Sequence, residues 1–440
     1  MTNPKSQFRN PKSVHLTNYY HKNSGGISTA YNDLLAAAER HQRFVSLIVP
    51  GEADEVEQVN PFAKIYYIKA PNSPIFDKRY RIILPWQFLP NDSKIRQIML
   101  DEKPDLVEVC DKYSLSLVAA MIRRNKFLQL GRPMLVNLVC ERMDDNLRSY
   151  LTKSKIGKWF SNKFISHYNF PLYDFHIANS HYTTSEFNES LEANRKSLFL
   201  NYCWKFFKAS QVAENERIFV CPCGVNFEYF AKNRKSDEVK KEMRQKVNIP
   251  PASIVLLYAG RISPEKNIGL LLELMKVLAQ DTKQDFRLLV AGGGPKVDWL
   301  KSETEQHIPN KIIQLGHLEK EILAKYYANA DVFVHPNPHE PFGIGPLEAM
   351  ASRVPVVAPN SGGVLSYATN ENAWLAEPNS KNFAAAIREI IENSELKEQK
   401  IAKAFETAKA NSRERSTDLI FATYDKLFAD FQNRKELFVD

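Results

Sequence analysis

The chain has 440 residues, 44% hydrophobic and 25% charged, with 59 Lys and Arg against 51 Asp and Glu. That length suits roughly two to four domains, and the composition excludes an intrinsically disordered chain. No apolar run reaches the ~20 residues of a spanning helix, and five scattered cysteines behind a polar, basic N-terminus predict a reducing, cytoplasmic location.

The formal charge of +8 suits anionic partners such as a diphosphate or an anionic membrane surface, and it equally suits ordinary solubility. Nucleic acid would also be attracted by this charge, but the chain carries no RNA- or DNA-binding motif. We therefore expect no nucleic-acid partner.

Short apolar runs rich in β-branched residues alternate with helical patterns, which predicts parallel sheets covered by helices on both faces. Seven predicted strands lie in the first half: Val14–Thr17, Phe44–Val49, Ile65–Ile68, Leu106–Cys110, Leu135–Val139, Phe175–Ala178 and Ile218–Cys221. Five lie in the second half: Ile254–Tyr258, Leu288–Ala291, Ile312–Leu315, Val332–Val334 and Val354–Ala358. Two such series predict an α/β protein with two Rossmann-like, doubly wound domains, residues 1–225 and 226–415.

Two segments connect or complete these domains. Lys232 to Val247 is charged and helix-prone, and its pattern predicts a linker. Apolar residues at helical spacing in Ser416 to Phe431 predict an amphipathic helix. We expect residues 416–440 to complete the first domain.

Three features of the first half are candidates for binding. The Gly25-Gly26 pair, in Asn23 to Ser28 after the first strand, is either a phosphate cradle or a plain turn. Residues 151–169 and 195–208 combine lysines and arginines with aromatic residues and contain no acid. Such helices lie in a membrane interface, or else pack on their own sheet with a solvated lysine face.

The first predicted strand of the second half runs into a loop that carries Gly260, Arg261 and Lys266. Its cations lie at the carboxyl end of the strand, where ligands bind in open α/β sheets. Arginine grips a diphosphate with two parallel hydrogen bonds and lysine adds a point charge. The alternative is a pair of solvated cations. Gly292 to Pro295 is either a second ligand loop or a structural turn, and Ser361 to Gly363 is a predicted turn that opens a helix. His317 is either a nucleobase contact or a surface residue.

The most informative run is Glu340 to Glu348, which follows a buried strand and its His335-Pro336 exit. Gly343 and Gly345 permit close approach of the backbone to a ligand, and Pro346 suits the first turn of a helix. The amides and dipole of a helix N-terminus attract phosphate. Glu348, expected in the first turn and held anionic there, can accept hydrogen bonds from two ribose hydroxyls, or both glutamates merely complement the helix.

Together these segments resemble the retaining glycosyltransferases of family 4, which have the GT-B fold of two Rossmann-like domains facing across a cleft. The similar motifs are G-R-x-x-x-E-K-N at Gly260–Asn267, E-x7-E at Glu340 and Glu348, and the strand exit Asp331–Pro336, with Asn337 where Ser is usual. Ile177–Ser180 and Pro222–Asn226 are similar to motifs that close the first domain. The resemblance is dense over residues 218–380.

The resemblance implies donor binding by the second domain and acceptor binding by the first. It assigns Arg261 and Lys266 to the diphosphate, Glu340 to the donor sugar and Glu348 to the ribose, with Arg261, Lys266 and Glu340 as the catalytic set. Further implied donor contacts are Gly25, Gly26, Phe342, Gly343, Ile344, Gly345 and Leu347.

The mechanism implied by the resemblance retains the configuration of the sugar without a protein nucleophile. The leaving diphosphate stays on the face that the acceptor hydroxyl attacks and accepts its proton. No cofactor and no metal is expected. Met143-Asp144-Asp145 lacks the D-x-D form, and Cys221 and Cys223 have no second pair.

One position departs from the family pattern. Cys140-Glu141-Arg142 stands where family members often have His-Glu-Arg, and a thiol does not replace imidazole as a hydrogen-bonding group. Either the alignment is shifted or the sugar contacts differ here. Cys140, Glu141 and Arg142 stay as candidate contacts, with His317.

We therefore expect a hexosyltransferase that uses a UDP- or GDP-sugar. The expected acceptor is a lipid or lipid-linked glycan at the cytosolic face of the cell membrane. The alternatives are a soluble small-molecule or protein acceptor, or a GT-B sugar-nucleotide epimerase. A binding protein without catalysis is disfavoured, because the donor residues are all present.

Overall fold

The computed structural model describes residues 10–21, 25–73, 81–127, 129–150, 155–232 and 235–439. Asn23 and Ser24 of the predicted cradle, and residues 151–154 of the first basic segment, lie outside these ranges. Contacts divide the chain into two compact units. The first comprises Met1–Asp144, Ser154–Cys221 and Ser416–Asp440, and the second Asp145–Lys153 and Pro222–Arg415.

Each unit is built on one sheet. The strands of the first are β1 (Ser13–Thr17), β2 (Val45–Gly51), β3 (Glu55–Asn60), β4 (Ala63–Lys69), β5 (Leu106–Cys110), β6 (Met134–Val139), β7 (Phe175–Ala178) and β8 (Ile218–Val220). Those of the second are β9 (Ile254–Ala259), β10 (Phe286–Ala291), β11 (Ile312–Gly316), β12 (Val332–Val334), β13 (Val356–Pro359) and β14 (Trp374–Ala376). The spatial orders are β3-β4-β2-β1-β5-β6-β7-β8 and β11-β10-β9-β12-β13-β14, parallel throughout except that β3 pairs antiparallel with β4.

Helices connect the strands. Within the described ranges they are α1 (Gly26–His41), α2 (Lys94–Glu102), α3 (Ser116–Arg123), α4 (Met143–Tyr150), α5 (Lys155–Phe164), α6 (Phe170–Leu172), α7 (His181–Asn194), α8 (Leu198–Phe206), α9 (Phe227–Ala231), α10 (Asp237–Lys246), α11 (Ile268–Leu278), α12 (Val297–His307), α13 (Lys320–Asn329), α14 (Ile344–Ala351), α15 (Ser380–Glu392), α16 (Ser394–Ala410), α17 (Arg413–Asn433) and α18 (Lys435–Phe438). Parallel strands need such crossovers, so both sheets are covered by helices.

All twelve predicted strands correspond to observed strands, and within the described ranges the two strands that the sequence missed are edge strands. β3 has the sequence Glu-Val-Glu-Gln-Val-Asn, and all of its residues except the last are exposed. It therefore lacks the buried apolar face that marks the other strands. β14 has only three residues. Both are recognisable only by their pairing with a neighbour.

The segment predicted as a linker is instead a helix docked on the second unit. In α10 the side chain of Met243 is buried. Lys240 and Arg244 pair with Asp331 at 2.7 and 3.3 Å. The predicted helix is present, but the predicted linker is wrong. The charged residues of this segment suggested a solvated connection, whereas Lys240 and Arg244, together with Met243, attach the helix to the second unit.

The C-terminal helix α17 returns to the first unit. Its apolar side chains join the core beside the first sheet: Phe421, Tyr424, Leu427, Phe428 and Phe431. The Tyr424 hydroxyl donates to the carboxylate of Glu108, which is fully buried in β5. Glu108 also accepts from Tyr31 at 3.0 Å and contacts His15 Nδ1 at 2.8 Å. A buried carboxylate with several partners ties the end of the chain to the sheet.

Candidate functional site

The loop after β9 is fixed at both of its ends to the carboxyl edge of the second sheet. The Tyr258 hydroxyl donates to the carbonyl oxygen of Arg261 at 2.8 Å. At the far end, Asn267 Nδ2 donates to the Pro336 carbonyl at 2.9 Å. The loops after β9 and β12 are therefore joined, and Lys266 lies at their junction.

Lys266 and Glu340 form a close pair at this junction. Lys266 Nζ lies 3.0 Å from Oε1 and 2.8 Å from Oε2 of Glu340, and Asn337 Nδ2 donates to Oε2 at 3.0 Å. Burial alone would raise the pKa of Glu340. The charge of Lys266 and the hydrogen bonds from Lys266 and Asn337 outweigh it and lower that pKa to about 2. Glu340 is thus an ionised carboxylate, able only to accept hydrogen bonds.

His335 belongs to the same cluster and was not among the predicted site residues. Its Nε2 lies 3.9 Å from Glu340 Oε2. Burial lowers the pKa of His335 to about 4, although the nearby Glu340 opposes this shift. The imidazole is therefore neutral near pH 7, and Lys266 is the largest favourable charge beside the carboxylate. Among the described residues, no hydrogen-bond partner reaches its Nε2.

The N-terminus of α14 lies directly after this cluster. Gly343 precedes the helix with φ of 90°, a conformation that a residue with a Cβ rarely adopts. Its carbonyl accepts a hydrogen bond from the Tyr367 hydroxyl. Phe342 and Leu347 are buried, so a ligand at this end meets backbone groups, with Ile344 and Gly345 in the first turn. The predicted strand, glycine loop and helix are all present.

A second glycine segment packs against the backbone of the same loop. Gly363 N donates to the Glu340 carbonyl at 2.7 Å. A Cβ at position 363 would lie 1.9 Å from the Pro341 carbonyl oxygen. Ser361 to Gly363, predicted as a turn, thus supports the backbone on either side of Glu340.

Glu348 differs from its prediction. The helix begins at Ile344, so Glu348 lies in the second turn instead of the first. Its carboxylate accepts from the Tyr327 hydroxyl at 2.9 Å. Burial raises the pKa of Glu348, and the Tyr327 hydrogen bond only partly opposes this. The dipole of the first turn therefore does not govern its charge.

The candidates of the first unit lie at the carboxyl edge of the other sheet. Gly25 precedes α1 and Gly26 is its first residue, and both are exposed. Cys140 follows β6, and its carbonyl accepts from Asn179 Nδ2 at 3.4 Å. Donor contacts of these three residues stay predictions.

Glu141 and Arg142 differ in their surroundings. Glu141 accepts from the Tyr19 hydroxyl at 3.3 Å, at the end of β1. Arg142 is 6% exposed and pairs with Asp144 at 2.8 Å and Glu189 at 3.2 Å. Buried between two carboxylates, the Arg142 guanidinium positions the loop after β6, and a ligand contact by it stays a prediction.

Buried charges that the sequence did not reveal surround this edge. Lys112 Nζ lies 2.6 Å from Glu186 Oε2 and donates to the Glu141 carbonyl at 2.7 Å. Asp111 accepts from Asn18 Nδ2 at 2.6 Å, and burial raises the pKa of Asp111 to about 6. Asp111 and Lys112 are consecutive, but Asn18 and Glu186, with which they pair, are distant in sequence, so only the fold brings these partners together.

His317 is exposed after β11, as a surface residue would be. Within the part of the chain that the structure describes, no group of three or more His, Cys, Asp and Glu side chains is arranged to hold a metal ion. In the same ranges, no helix is long and apolar enough to cross a membrane.

Residues 239–407 match the family model described as "Glycosyl transferases group 1". This segment contains Lys266, Glu340 and Glu348, and extends from α10 into α16. The match thus covers the loops whose geometry forms the candidate site of the second unit.

Two relatives illustrate the similarity of sequence. The chain is 24% identical, over 394 residues, to a GDP-mannose-dependent alpha-(1-6)-phosphatidylinositol dimannoside mannosyltransferase of Mycobacterium tuberculosis, covering 89% of this chain and 90% of that one. It is 35% identical, over 141 residues, to the alpha-monoglucosyldiacylglycerol synthase of Streptococcus pneumoniae, covering 32% of each.

A solved structure illustrates the similarity of fold. That of Anabaena Alr3699/HepE with UDP and glucose superposes with a TM-score of 0.65 at 16% identity, covering 94% of this chain and 100% of that one. The predicted fold class, with two Rossmann-like parallel-sheet domains, is confirmed. The family match and the relatives also confirm that the chain is an enzyme of the glycosyltransferase class.

Proposed function

We propose that this enzyme transfers a hexose, with retention of configuration, from a UDP- or GDP-sugar to a hydroxyl group of a lipid or lipid-linked glycan. The Lys266–Glu340 pair at the N-terminus of α14 is the observation that carries the proposal. It puts a cation, an ionised carboxylate and a helix N-terminus side by side. These groups match the phosphate and the sugar hydroxyls of one donor.

The parts of the donor fall to different groups. Lys266 and Arg261 would balance the diphosphate charge, and the amides of Ile344 and Gly345 would add to them at the helix N-terminus. Glu340, ionised because its pKa is about 2, would accept hydrogen bonds from the sugar. Glu348 would accept from the ribose, with Tyr327 fixing its orientation at 2.9 Å.

The proposed reaction occurs on one face of the sugar. The bond between the anomeric carbon and the diphosphate oxygen breaks, and the acceptor oxygen bonds to the same face of that carbon. The acceptor proton passes to the leaving diphosphate. Lys266 and Arg261 would stabilise the negative charge as it develops, so the rate arises from positioning and electrostatics. The proposal includes no metal.

The acceptor is proposed from the relatives and from the surface of the first unit. A phosphatidylinositol dimannoside mannosyltransferase and a monoglucosyldiacylglycerol synthase are both named for lipid products or acceptors. The basic and aromatic helices α5 and α8 of the first unit suit a lipid surface. We place the proposed reaction at the cytoplasmic face of a membrane.

Donor hydrolysis and transfer test the proposal. The enzyme is incubated with UDP- and GDP-sugars, with and without EDTA, and nucleotide release is measured. Active donors are then offered with membrane lipid extract, and the anomeric configuration of the product is read by NMR. We expect one nucleotide series to be cleaved, EDTA to leave the rate unchanged, and the product to keep the configuration of the donor. An inverted product would refute the mechanism, and no cleavage of any donor would refute the function.

A further inference from the structure

The first unit carries two helices whose outward faces are apolar. On α5 the side chains of Ile156, Trp159 and Phe160 are 70%, 61% and 49% exposed. On α8 the corresponding set is Leu198, Phe199, Tyr202 and Phe206, exposed between 47% and 86%. Single exposed apolar residues are common, but contiguous groups of this size mark interaction surfaces.

The inner faces of these helices are already satisfied. In α5, Gly157 and Ser161 are buried, and Ser161 Oγ donates to Glu186 at 3.2 Å. In α8, Leu200 is buried and Trp204 Nε1 donates to the Ser166 carbonyl at 3.0 Å. Each helix therefore packs on the first unit through its inner face, and the exposed rings lie on its other face.

A chain of ring contacts joins the two helices. Phe160 stacks on Phe164, and Phe164 contacts Tyr168 with ring centroids 5.0 Å apart. The Tyr168 ring lies 5.8 Å from that of Phe207, which lies 5.1 Å from the ring of Phe206 on α8. Phe199 stacks on Tyr202 on the same helix. The exposed side chains of α5 and α8 are thus parts of one surface, called the aromatic surface here and defined by Ile156, Trp159, Phe160, Leu198, Phe199, Tyr202 and Phe206.

Cations border the aromatic surface. Residues 155–169 and 195–208 contain seven Lys and Arg side chains and no acid: Lys155, Lys158, Lys163, Arg195, Lys196, Lys205 and Lys208. Two acids of α7 offset part of this charge, because Glu189 pairs with Lys158 at 2.8 Å and Glu192 with Arg195 at 3.2 Å. A positive excess around exposed aromatic rings is complementary to a bilayer with anionic headgroups.

We propose that the aromatic surface docks the enzyme on an anionic phospholipid bilayer. The rings enter the headgroup region, and the lysines remain at its negative surface. Charge complementarity favours this occupant over a second copy of the chain, whose own aromatic surface would bring like charges together. The inference rests on the proposed function, because docking would bring the first unit to a lipid acceptor.

Vesicle flotation of the full chain tests the docking. Vesicles of phosphatidylcholine alone are compared with vesicles that also contain phosphatidylglycerol, at low and high salt. We expect flotation with the anionic vesicles only, and less of it at high salt, because exposed charges are screened. Lack of flotation at low salt would overturn the proposal.

Two sets of variants locate the surface. Combined replacement of Trp159, Phe160, Phe199 and Tyr202 by Ser should abolish flotation, whereas the control Trp86→Ser removes an equally exposed ring (64%) elsewhere in the first unit and should not. Lys196, Lys205 and Lys208→Gln should weaken flotation at least tenfold. Their control removes the same charge from exposed lysines of the second unit: Lys301, Lys381 and Lys409→Gln. Equal loss in variants and controls would overturn the proposal.

Donor hydrolysis is measured on every variant to separate docking from catalysis. Normal hydrolysis with lost flotation supports the docking surface. Normal flotation without hydrolysis in the unsubstituted enzyme would refute the proposed function and leave the docking intact. If the Ser variant instead converts a dimer to a monomer by sedimentation, with no vesicle binding at any stage, the surface belongs to a second copy and the proposal fails.

Discussion

The charged side chains at the carboxyl edges of the two sheets differ in how far they are exposed to solvent. At the second sheet, Lys266 and Glu340 form a partly exposed pair, with side chains 28% and 13% exposed, beside the start of a helix. At the first sheet, Lys112 and Glu186 are 4% and 2% exposed, and Asp111 is held by Asn18. Charges that ligands can reach stand at one edge, and charges that hold loops together stand at the other.

This difference bears on how each edge works. A pair that a ligand can reach can exchange its mutual hydrogen bonds for bonds to a diphosphate and a sugar. A buried pair cannot exchange its partners in this way, because the loss of one partner would leave the other as an unpaired buried charge. We therefore expect the second edge to bind the donor and the first edge to shape the site of the acceptor.

The largest effect is expected at Lys266. Lys266→Ala should lower kcat/KM for transfer by about 100- to 1,000-fold, the range for loss of one preorganised electrostatic group. The variant also leaves the partly exposed Glu340 carboxylate without its cation, which lowers stability. Arg261→Ala should likewise cripple transfer. Steady-state kinetics with the cleaved donor measures both.

Two further variants separate catalysis from folding. Lys266→Met combined with Glu340→Gln removes both charges and should restore the thermal midpoint without restoring transfer. Lys276→Ala is the matched control, because Lys276 pairs with Glu273 at 3.0 Å on α11, away from the loops. Transfer at the unsubstituted rate in Lys266→Ala would show that the pair is structural only.

A smaller effect is expected at Asp111, as a dependence of stability on pH. Burial raises the pKa of Asp111 from 3.8 to about 6, so the folded state holds a proton that the unfolded state has lost between these values. The free energy of unfolding therefore falls as pH rises from about 4 to 6, by on the order of 3 kcal/mol at most. Asp111→Asn should remove this fall. The free energy of unfolding of the variant, relative to that of the unsubstituted protein, should therefore increase as pH rises from about 4 to 6.

Denaturation in urea at pH 4.5 and pH 7.5 measures the difference. The control is Asp101→Asn, an exposed carboxylate of α2 in the same unit, which should shift stability equally at both pH values. A constant difference for Asp111→Asn as well would contradict the assigned burial of the charge.

The sequence predicted the second edge well because its determinants are local. Gly260 to Asn267 and Glu340 to Glu348 are contiguous runs that each adopt one loop, so their chemistry is visible without knowledge of the fold. The twelve longer or more apolar strands were predicted for the same reason. The sequence did not reveal the burial that raises the pKa of Glu348, nor the pairing of Lys266 with Glu340, which are 74 positions apart.

The first edge was predicted less well because no contiguous motif marks its charged residues. Lys112 and Glu186 are 74 positions apart, as Lys266 and Glu340 are, but neither lies in a glycine-containing run that indicates a ligand site. His335 was not predicted as a site residue, because only its burial beside Glu340 in the folded protein marks it as one. The polar strand β3 and the docked helix α10 were hidden for a similar reason, because what holds them lies elsewhere in the chain.

Hydrogen–deuterium exchange with UDP or GDP tests the central claim most directly. We expect the nucleotide of the active donor series to slow exchange in residues 260–267 and 343–348, where the loop cations and the helix amides would bind it. Residues 111–118 at the first edge should exchange at an unchanged rate. Protection confined to residues 111–118, or absent from both second-unit segments at saturating nucleotide, would contradict the assignment of the donor to the second edge.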